Sequence, residues 1–301
     1  MKITDSKYLE KICDNIYLLL TPTQGQFPYC NSFLFTGNEN ILIDAGADKD
    51  VLREIDRDIR IDTLIISHSH PDHIRSWDVL SHRKLLLPAE TPDSVYELEE
   101  LGERYTGTPE RGYHWIESIG KMLDIHALRK PDGRFSDNDI ISNGSVCIEA
   151  IYTPGHLADH YCFFEHESGT LFSSDINFSS FGPWYGNPEG RIKPFIKSVE
   201  RVMSLPYRRI CTSHNRPHEG DATALFMDFL NGFESHKKGI LKLIDTGKTL
   251  HEIVTMSPFY HNKYFNPVVQ YSFEENMTLE NLKILMEEGR VYEKEGRYMP
   301  V

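Results

Sequence analysis

Residues 68–73 read His-Ser-His-Pro-Asp-His, and this stretch decides how the rest of the chain is interpreted. It follows Thr63–Ser67, a short β-branched, apolar run that predicts a buried strand. Side chains that bind metal ions are therefore concentrated on a loop that begins where a strand ends, and Pro71 lowers the cost of ordering that loop. Imidazole and carboxylate groups suit zinc, and also iron or manganese. A surface loop that is histidine-rich by chance is the alternative, and the spacing argues against it.

Further potential ligands also follow predicted strands. They are His156 after the strand at 146–152, Asp175 after the strand at 170–173 and His214 after the strand at 209–213. Each residue taken singly reads as a polar residue at a strand end. Their recurrence after similar strands predicts that they converge with the 68–73 loop on a pair of metal ions.

These motifs resemble those of the metallo-β-lactamase superfamily over roughly residues 14–216. The matching marks are HxHxDH at 68–73, TPGH at 153–156 and the strand-end residues Asp175 and His214. The resemblance, to the glyoxalase II-like branch with HxHxDH, implies an α/β fold. This fold is a four-layer αββα sandwich with the metals at one edge of its two sheets.

The resemblance also implies a role for each ligand. His68, His70 and His156 are expected on the first metal, and Asp72, His73 and His214 on the second. Asp175 is expected to bridge both metals. Asp44, after the third predicted strand, matches a position that orients an imidazole by accepting its other N–H. We expect two divalent metal ions as cofactors, with zinc favoured and iron or manganese as alternatives.

The sequence departs from the family pattern before the bridging aspartate, where Ser174 replaces a frequent glycine. We expect this change to be tolerated, although it can tilt the carboxylate. His73 is intact, whereas true β-lactamases commonly replace it, so cleavage of antibiotics is disfavoured. His70 stands where di-iron relatives that reduce oxygen or nitric oxide carry an acidic residue, so that activity is disfavoured as well.

The predicted function is a dinuclear metal-dependent hydrolase. A hydroxide shared by the two metals is expected to attack a small acyl substrate, a thioester or an ester. Asp72 and Asp175 are the predicted catalytic carboxylates, with Asp72 also relaying a proton. The basic residues that bind glutathione in glyoxalase II have no match here, so a glutathione thioester is only one option.

Substrate contacts are predicted from the loops near the metals. Residues 24–29 and 178–187 are candidates, and within the second loop Trp184 and Tyr185 could flank an acyl or aromatic group. Packing against a neighbouring helix is an equal alternative for both side chains. His160, four residues after His156, is expected to be structural rather than a ligand.

Other functions stay open. They are a mononuclear iron dioxygenase of the persulfide type, a metal-dependent ribonuclease or phosphodiesterase, and a scaffold or sensor that retains the fold. About one iron per chain with oxygen uptake would indicate the first. The nuclease alternative predicts a basic groove, and the non-catalytic one is disfavoured because no ligand position is lost.

The composition bounds the partners and the compartment. The 301 residues carry a formal net charge of -13, which argues against nucleic acid and against an anionic membrane surface. The five cysteines are scattered without a CxxC pair, as in a reducing compartment. The polar start lacks a signal-peptide pattern, so a cytoplasmic protein is expected. A small molecule is the expected partner, and homo-oligomerisation is left open.

The domain organisation is predicted from the sequence pattern, which changes near residue 220 from strand-like runs to helical periodicity. Residues 1–219 form the predicted catalytic domain, whereas 220–301 form a helical subdomain with helices at 222–244, 250–255 and 278–288. The tail 279–301 resembles the last helix and wing of a winged-helix module. The segment from Asp221 onward has 12 acidic and 9 basic residues, a net of -3, so covering the active site is preferred over binding DNA. Before residue 146, a helix is expected over 91–123 and irregular structure over 124–144.

Overall fold

Two large β-sheets pack face to face with helices on both outer sides, which confirms the predicted αββα architecture. The computed structural model of the chain describes residues 6–23, 25–263 and 266–301. The first sheet has seven strands that lie side by side in chain order. They are β1 (Leu9–Cys13), β2 (Ile16–Leu19), β3 (Ser32–Phe35), β4 (Ile41–Ile43), β5 (Thr63–Ile65), β6 (Lys84–Pro88) and β7 (Gly133–Phe135).

The second sheet has six strands in the reverse order, from β13 at one edge to β8 at the other. They are β8 (Ile140–Ser142), β9 (Cys147–Tyr152), β10 (Tyr161–Glu165), β11 (Thr170–Ser174), β12 (Arg209–Thr212) and β13 (His218–Glu219).

Helices cover the outer face of each sheet, with short 3₁₀ turns at Trp77–Leu80 and Asp93–Tyr96. Those before residue 220 are α1 (Lys49–Ile59), α2 (Pro71–Ile74), α3 (Leu98–Thr106), α4 (Pro109–Trp115), α5 (Lys121–Leu123) and α6 (Ile192–Met203). A π-helical turn at Ile116–Gly120 joins α4 to α5. The helix predicted over 91–123 is thus several shorter helices, and Gly107 ends α3 in the left-handed conformation.

The central strands are buried on both faces, which explains why they read as unbroken apolar runs. Successive side chains of a strand point to opposite faces. Phe33 and Phe35 therefore enter the core between the sheets, whereas Leu34 packs under the helices of the first sheet. Phe163 and Phe164 divide in the same way between the inter-sheet core and the helices of the second sheet.

Strand direction brings the polar strand ends to one edge. β4 runs parallel to β5, and β11 runs parallel to β12. β9 runs in the same direction as β11, because both are antiparallel to β10. The carboxyl ends of these strands therefore lie along the same edge of their sheets, where short loops carry the predicted ligands.

The C-terminal elements form a helix–strand–helix–helix–hairpin series. They are α7 (Thr223–Leu243), β14 (Lys248–Thr249), α8 (Leu250–Thr255), α9 (Pro267–Glu287), β15 (Val291–Lys294) and β16 (Arg297–Pro300). β16 pairs with both β14 and β15 in a small sheet, and the predicted hairpin turns at Glu295 and Gly296. Among the described residues, helices with the length and apolarity needed to cross a bilayer are absent.

Helix α9 joins the C-terminal elements to both halves of the sandwich. Val269 and Phe273 belong to the core beneath the first sheet's helices, whereas Met277 and Leu285 belong to the core beside the second sheet. α9 also contacts α3, α4, α7 and α8. It begins at Pro267, eleven residues before the predicted start at 278, because Asn266 caps it and accepts hydrogen bonds from the first helical N–H groups.

Some further features of local structure were predicted wrongly or missed. The interval 124–144 was expected to be irregular, yet it contains β7 and β8. The strands β1 and β6 were not predicted. β7 and β8 are only three residues long and partly exposed, so they lack the apolar run or strict alternation that marks a strand in the sequence.

Candidate metal centre

All seven predicted ligands meet at the edge where the carboxyl ends of the strands lie. One group of donors comprises His68, His70, His156 and Asp175, and a second comprises Asp72, His73 and His214. Within each group the donor atoms lie within 4.8 Å of one another. The structure thus brings together side chains that are separated by up to 146 residues of sequence (214 minus 68).

The first group is centred on Nδ1 of His70. This atom lies 3.0 Å from Nε2 of His68 and 2.7 Å from Nε2 of His156. The loop after β5 and the loop after β9 supply these imidazoles. The second loop depends on Gly155, because a Cβ there would lie 2.3 Å from the backbone of Phe195. Its φ of 131° also favours glycine.

Asp175 lies between the two groups. Its Oδ2 is 3.1 Å from Nε2 of His156, on the side of the first group. Its Oδ1 is 3.2 Å from Nε2 of His73 and also 3.2 Å from Nε2 of His214. His214 Nε2 lies a further 3.4 Å from Oδ2 of Asp72, which completes the second group. One carboxylate therefore presents one oxygen to each set of donors.

Hydrogen bonds at the far nitrogens fix the protonation of the imidazoles. His156 Nδ1 lies 2.8 Å from the carbonyl oxygen of Trp184, and His214 Nδ1 lies 2.6 Å from that of Gly25. A carbonyl oxygen only accepts hydrogen bonds, so each Nδ1 carries a proton and donates it. In a neutral imidazole the other nitrogen, Nε2, then presents a lone pair to the donor group.

His70 and His68 follow the same rule. His70 Nε2 lies 2.6 Å from Oδ1 of Asn187, and the amide of Asn187 donates through Nδ2 to the carbonyl of Tyr105 at 2.8 Å. Nδ1 of His70 therefore carries the lone pair. His68 Nδ1 lies 3.1 Å from Oγ of Ser67, a hydroxyl that itself lies 2.8 Å from Oδ2 of Asp44 and donates to it.

Asp44 connects the ligand loop to β4. Its Oδ2 lies 2.8 Å from Nδ1 of His73, and its Oδ1 accepts the backbone N–H of Ser67 at 2.8 Å. The residue has a φ of 63°, in the left-handed region that glycine, asparagine and aspartate adopt more readily than other residues. Asp44, His73 and the buried Cys30 also form a compact group of potential ligands. Because His73 Nδ1 is bonded to Asp44, its Nε2 is the atom that faces Asp175.

The convergence of lone pairs is the observation that fits a bound cation. Nε2 of His68, Nδ1 of His70 and Nε2 of His156, which carry the lone pairs, lie within 4.8 Å of one another and of an oxygen of Asp175. Such an array repels itself unless a positive charge occupies its centre. Nitrogen and carboxylate donors of this kind match zinc, iron or manganese. Together with the αββα fold, the donor set implies that a divalent metal binds here.

The electrostatic environments of the two groups differ. Burial and neighbouring imidazoles lower the pKa values of His68 and His70 well below the usual histidine value. Burial also disfavours protonated His214, but Asp175 outweighs it and raises the pKa of His214 to about 9. For His73, burial is likewise outweighed by Cys30, Asp44 and Asp175, which raise its pKa well above the usual value.

Asp175 shows the reciprocal effect. Burial favours its neutral form, but the charges of His214 and His73 hold its pKa well below the usual aspartate value. Without a metal, protons on His73 and His214 therefore balance the carboxylates of the second group. A cation bound there replaces those protons.

Two features hold the backbone of Asp175. His160 donates from Nδ1 to the carbonyl of Thr153 at 2.9 Å, and its Nε2 accepts the N–H of Asp175 at 3.2 Å. Burial, followed by the charge of His156, lowers the pKa of His160 to about 3, so this ring is neutral. Ser174 adopts a φ of 47°, the left-handed conformation that glycine favours, and its hydroxyl donates to the carbonyl of Tyr161 at 2.8 Å.

A buried ion pair between Arg104 and Asp159, which was not predicted from the sequence, holds the ligand loop through Ser69. Arg104 on α3 donates to Asp159 at 3.0 Å and to Ser69, the residue between His68 and His70. Ser69 in turn donates to Asp159 at 2.7 Å. Asp159 lies in the loop after β9, three residues beyond His156. An acidic residue so close to a predicted ligand could have been recognised from the sequence as a candidate for the site. Arg104 lies in a helix with no local motif, so only the fold identifies it.

A cavity of about 630 Å³ opens beside the donors. Five predicted ligands line it: His70, Asp72, His156, Asp175 and His214. The two predicted substrate loops contribute as well, with Gln26 and Phe27 from the first and Trp184 among several residues from the second. Gln24, the start of the first loop, lies outside the described residues.

Trp184 and Tyr185 have different surroundings although they are adjacent. Trp184 lines the cavity, and its ring lies 5.2 Å from that of His70. Tyr185 was predicted to flank the substrate too, and this prediction needs correction. Tyr185 is completely buried and its ring packs on Phe233. Its hydroxyl forms hydrogen bonds with His236 and Asn281. The backbone turns the two side chains in different directions, so Tyr185 is part of the core.

Comparisons with known proteins agree with this geometry. A family model described as the metallo-beta-lactamase superfamily matches residues 25–214. The lactamase-like protein adaB of Aspergillus niger is 22% identical over 250 residues, which cover 80% of this chain and 67% of that protein. Hydroxyacylglutathione hydrolase GloC of Haemophilus influenzae is 23% identical over 173 residues, covering 55% of this chain and 73% of that protein.

The fold also matches a solved structure along nearly its whole length. A metallo-beta-lactamase family protein from Thermus thermophilus superposes with a TM-score of 0.75 at 21% identity. The superposition covers 97% of this chain and 100% of that one, so it includes the C-terminal elements. At this level of identity the likeness concerns the fold alone.

Proposed function

The chain belongs to the metallo-β-lactamase superfamily, and from this membership we propose that it is a dinuclear metal-dependent hydrolase of small acyl substrates. The substrate is a thioester or an ester. Water adds to the acyl carbon, the bond from that carbon to sulfur or oxygen breaks, and the products are a carboxylic acid and a thiol or an alcohol.

The observation that carries the proposal is the position of Asp175 between two sets of donors. In this assignment His68, His70 and His156 hold one metal ion, whereas Asp72, His73 and His214 hold the other. Asp175 serves both, because its two oxygens face different groups at 3.1 and 3.2 Å from their imidazoles. Zinc is the favoured metal for these donors, with iron or manganese as alternatives.

Two divalent ions in these positions would supply a nucleophile from water near neutral pH and would polarise the carbonyl oxygen that becomes negatively charged. The protein's own part is to hold the donors in place. The carbonyls of Trp184 and Gly25 and the side chains of Asp44 and Asn187 keep the outer nitrogens of the ligands bonded. Outer partners of this kind fix ring orientation and increase ligand basicity.

Asp72 is assigned a second role. Its carboxylate lines the cavity and lies 3.4 Å from His214 Nε2, so it can take a proton from the attacking water. The same proton can then pass to the departing sulfur or oxygen. Asp72 and Asp175 are in this sense the catalytic carboxylates.

The acyl class is supported by relatives and by charge. The name of GloC describes it as a hydroxyacylglutathione hydrolase, which cleaves a thioester. A phosphodiester substrate would call for basic side chains near the reacting group. The cavity lining, so far as the structure describes it, contains neither lysine nor arginine.

The test measures turnover of a thioester, a lactone and bis(4-nitrophenyl) phosphate by zinc-loaded protein, with and without chelator. We expect thioester or lactone hydrolysis that is lost on chelation and restored by zinc. Asp175→Ala should abolish turnover and lower metal content, whereas Asp228→Ala, on the exposed face of α7, should change neither. Full activity of Asp175→Ala would refute the shared-ligand mechanism, and iron-dependent oxygen uptake would favour the dioxygenase alternative.

A further inference from the structure

The cavity beside the donors has a strongly aromatic lining. Its volume of about 630 Å³ lies in the range of pockets that enclose small organic ligands. Aromatic side chains reach it from several separate parts of the chain. Among them are Phe27, Phe178, Phe181, Trp184, Tyr260 and Phe273.

Among the described residues that line the cavity, charged side chains occur only at the end that carries the predicted metal ligands. Apart from tyrosines, the ionisable side chains in the described lining are all predicted ligands. The other polar groups are amides and hydroxyls such as Gln26, Asn177 and Ser179. An anionic substituent placed away from the ligands would lose its hydration there without meeting a counter-ion, which is unfavourable.

Trp184 links the metal end to the C-terminal elements. Its ring lies 5.2 Å from that of His70 and 5.6 Å from that of His156. On its other side it meets the ring of Phe273 at 5.3 Å, and its Nε1 donates to the hydroxyl of Tyr260. We call Trp184, Tyr260 and Phe273 the aromatic wall.

The aromatic wall is held rigidly by helix α9. Glu274 is buried and accepts hydrogen bonds from the hydroxyl of Ser257 at 2.6 Å and from the N–H of Tyr260 at 2.8 Å. Asn276, further along the same helix, donates to the carbonyl of Gly186 at 3.0 Å. The segment that carries Tyr260 and the loop that carries Trp184 are thus both fastened to the helix that carries Phe273. A preformed wall binds a planar group with little ordering cost.

From this lining we infer that the acyl group of the substrate is uncharged and aromatic, and that it packs on the aromatic wall. The inference rests on the proposed hydrolase function and narrows it. Offset and edge-to-face contacts between rings favour a planar aromatic group over an alkyl group of equal size. A glutathione thioester is disfavoured, because its carboxylates would find no cation in the described cavity other than the metals.

The experiment compares three thioesters on zinc-loaded protein: S-phenylacetyl-N-acetylcysteamine, S-acetyl-N-acetylcysteamine and S-phenylacetylglutathione. We expect kcat/KM for the first to exceed that for the second by about 30-fold, the value of burying one phenyl ring. It should also exceed that for the glutathione thioester. Equal rates for the acetyl and phenylacetyl compounds, or preference for glutathione, would overturn the inference and leave the hydrolase proposal intact.

Two matched variants test whether the preference for the phenylacetyl over the acetyl thioester depends on the aromatic wall. Phe273→Leu should reduce the phenylacetyl-over-acetyl ratio about fivefold, because an aromatic contact is lost while an apolar side chain remains. Phe163→Leu, which is also buried but lies in the core between the sheets, should leave the ratio unchanged. An unchanged ratio in Phe273→Leu would contradict the role of the wall.

A binding measurement separates the two proposals. The ketone analogue, in which a methylene replaces the thioester sulfur, is titrated by calorimetry into metal-free protein and into both variants. Weaker binding to Phe273→Leu alone supports the aromatic wall even when no thioester is hydrolysed, in which case only the hydrolase proposal fails. If the wild type and both variants bind the ketone equally well, or if none of them binds it, the role of the aromatic wall is contradicted. This conclusion does not depend on whether thioesters are hydrolysed.

Discussion

The metal edge and the aromatic wall border one cavity, but they are built in different ways. At the metal edge each predicted ligand follows the end of a strand by at most eight residues (His73 after Ile65), although the ligands themselves meet across up to 146 residues of sequence. At the aromatic wall, Trp184 meets Phe273 and Tyr260 across at least 76 residues of sequence. No such motif marks Tyr260 or Phe273. The reacting groups of the proposed hydrolase can therefore be found from short sequence motifs, whereas its proposed selectivity depends on how the C-terminal helices pack.

The largest effect is expected at the centre of the first donor group. His70→Ala removes the donor that lies between His68 and His156, so the first metal loses a ligand. As for Asp175→Ala, we expect turnover of the preferred thioester to be abolished, which means a fall in kcat/KM of at least about 10³-fold, or about 4 kcal/mol of transition-state stabilisation. Metal analysis of the same sample should show a reduced content. A comparable loss in Phe273→Leu would erase the contrast between the two regions.

The next effect concerns the ion pair behind the ligand loop. Arg104→Leu leaves Asp159 buried without its counter-ion, which should lower the free energy of unfolding by about 3–5 kcal/mol. Urea denaturation of the metal-free protein measures it. Arg111→Leu, which breaks the more exposed contact with Glu275, should cost much less. The double variant Arg104→Leu with Asp159→Leu should recover part of the lost unfolding free energy. If the double variant is instead less stable than Arg104→Leu alone, the polar network itself is required for stability.

The same pair predicts a pH dependence. Burial favours the neutral form of Asp159, but the charge of Arg104 and hydrogen bonds from Ser69, Arg104 and Thr91 lower its pKa below the usual value. A lowered pKa in the folded protein stabilises it above the unfolded pKa of about 3.9, and this stabilisation is lost as the pH falls further. The difference in unfolding free energy between wild type and Asp159→Asn should therefore be constant near neutral pH and shrink below about pH 4. A difference that grows on acidification would contradict the ion pair.

The smallest effect is expected in the C-terminal elements away from the cavity. Thr249 and Glu252 form a capping box at the start of α8, with reciprocal side-chain to backbone hydrogen bonds. Thr249→Ala should lower the free energy of unfolding by about 1 kcal/mol, as measured by thermal denaturation. The ratio of phenylacetyl to acetyl turnover should not change, since neither residue lines the cavity. A changed ratio would extend the selectivity region beyond the aromatic wall.

The sequence identified the metal edge because its signals are local. Strand ends can be read from short apolar runs, and parallel directions in a sheet bring such ends together. The strand ends made the seven ligands candidates, whereas Asp44 and the four-layer fold were expected from the resemblance to the metallo-β-lactamase superfamily that these motifs carry. Ser174 also fits this reading, because the left-handed backbone explains why glycine is frequent at that position.

The sequence could not identify partners that meet only through packing. Arg104 contacts the ligand loop from α3, where no local motif marks it. Asn187 lies in a predicted substrate loop, but its hydrogen bond to His70 could not be recognised from the sequence. The wall residue Phe273 reads as an ordinary apolar position on a helix. Tyr185 was assigned to the substrate because it adjoins Trp184, yet the direction of a side chain in an irregular loop is set by the backbone and not by composition.

In the proposed mechanism one carboxylate, Asp175, serves two metal ions. The most direct measurement is the metal content of the purified protein after zinc loading and exhaustive dialysis, determined by mass spectrometry beside Asp175→Ala. We expect about two zinc ions per chain in the wild type and a clear loss in the variant. A single tightly bound ion in both proteins, with no second site at higher zinc concentrations, would contradict it.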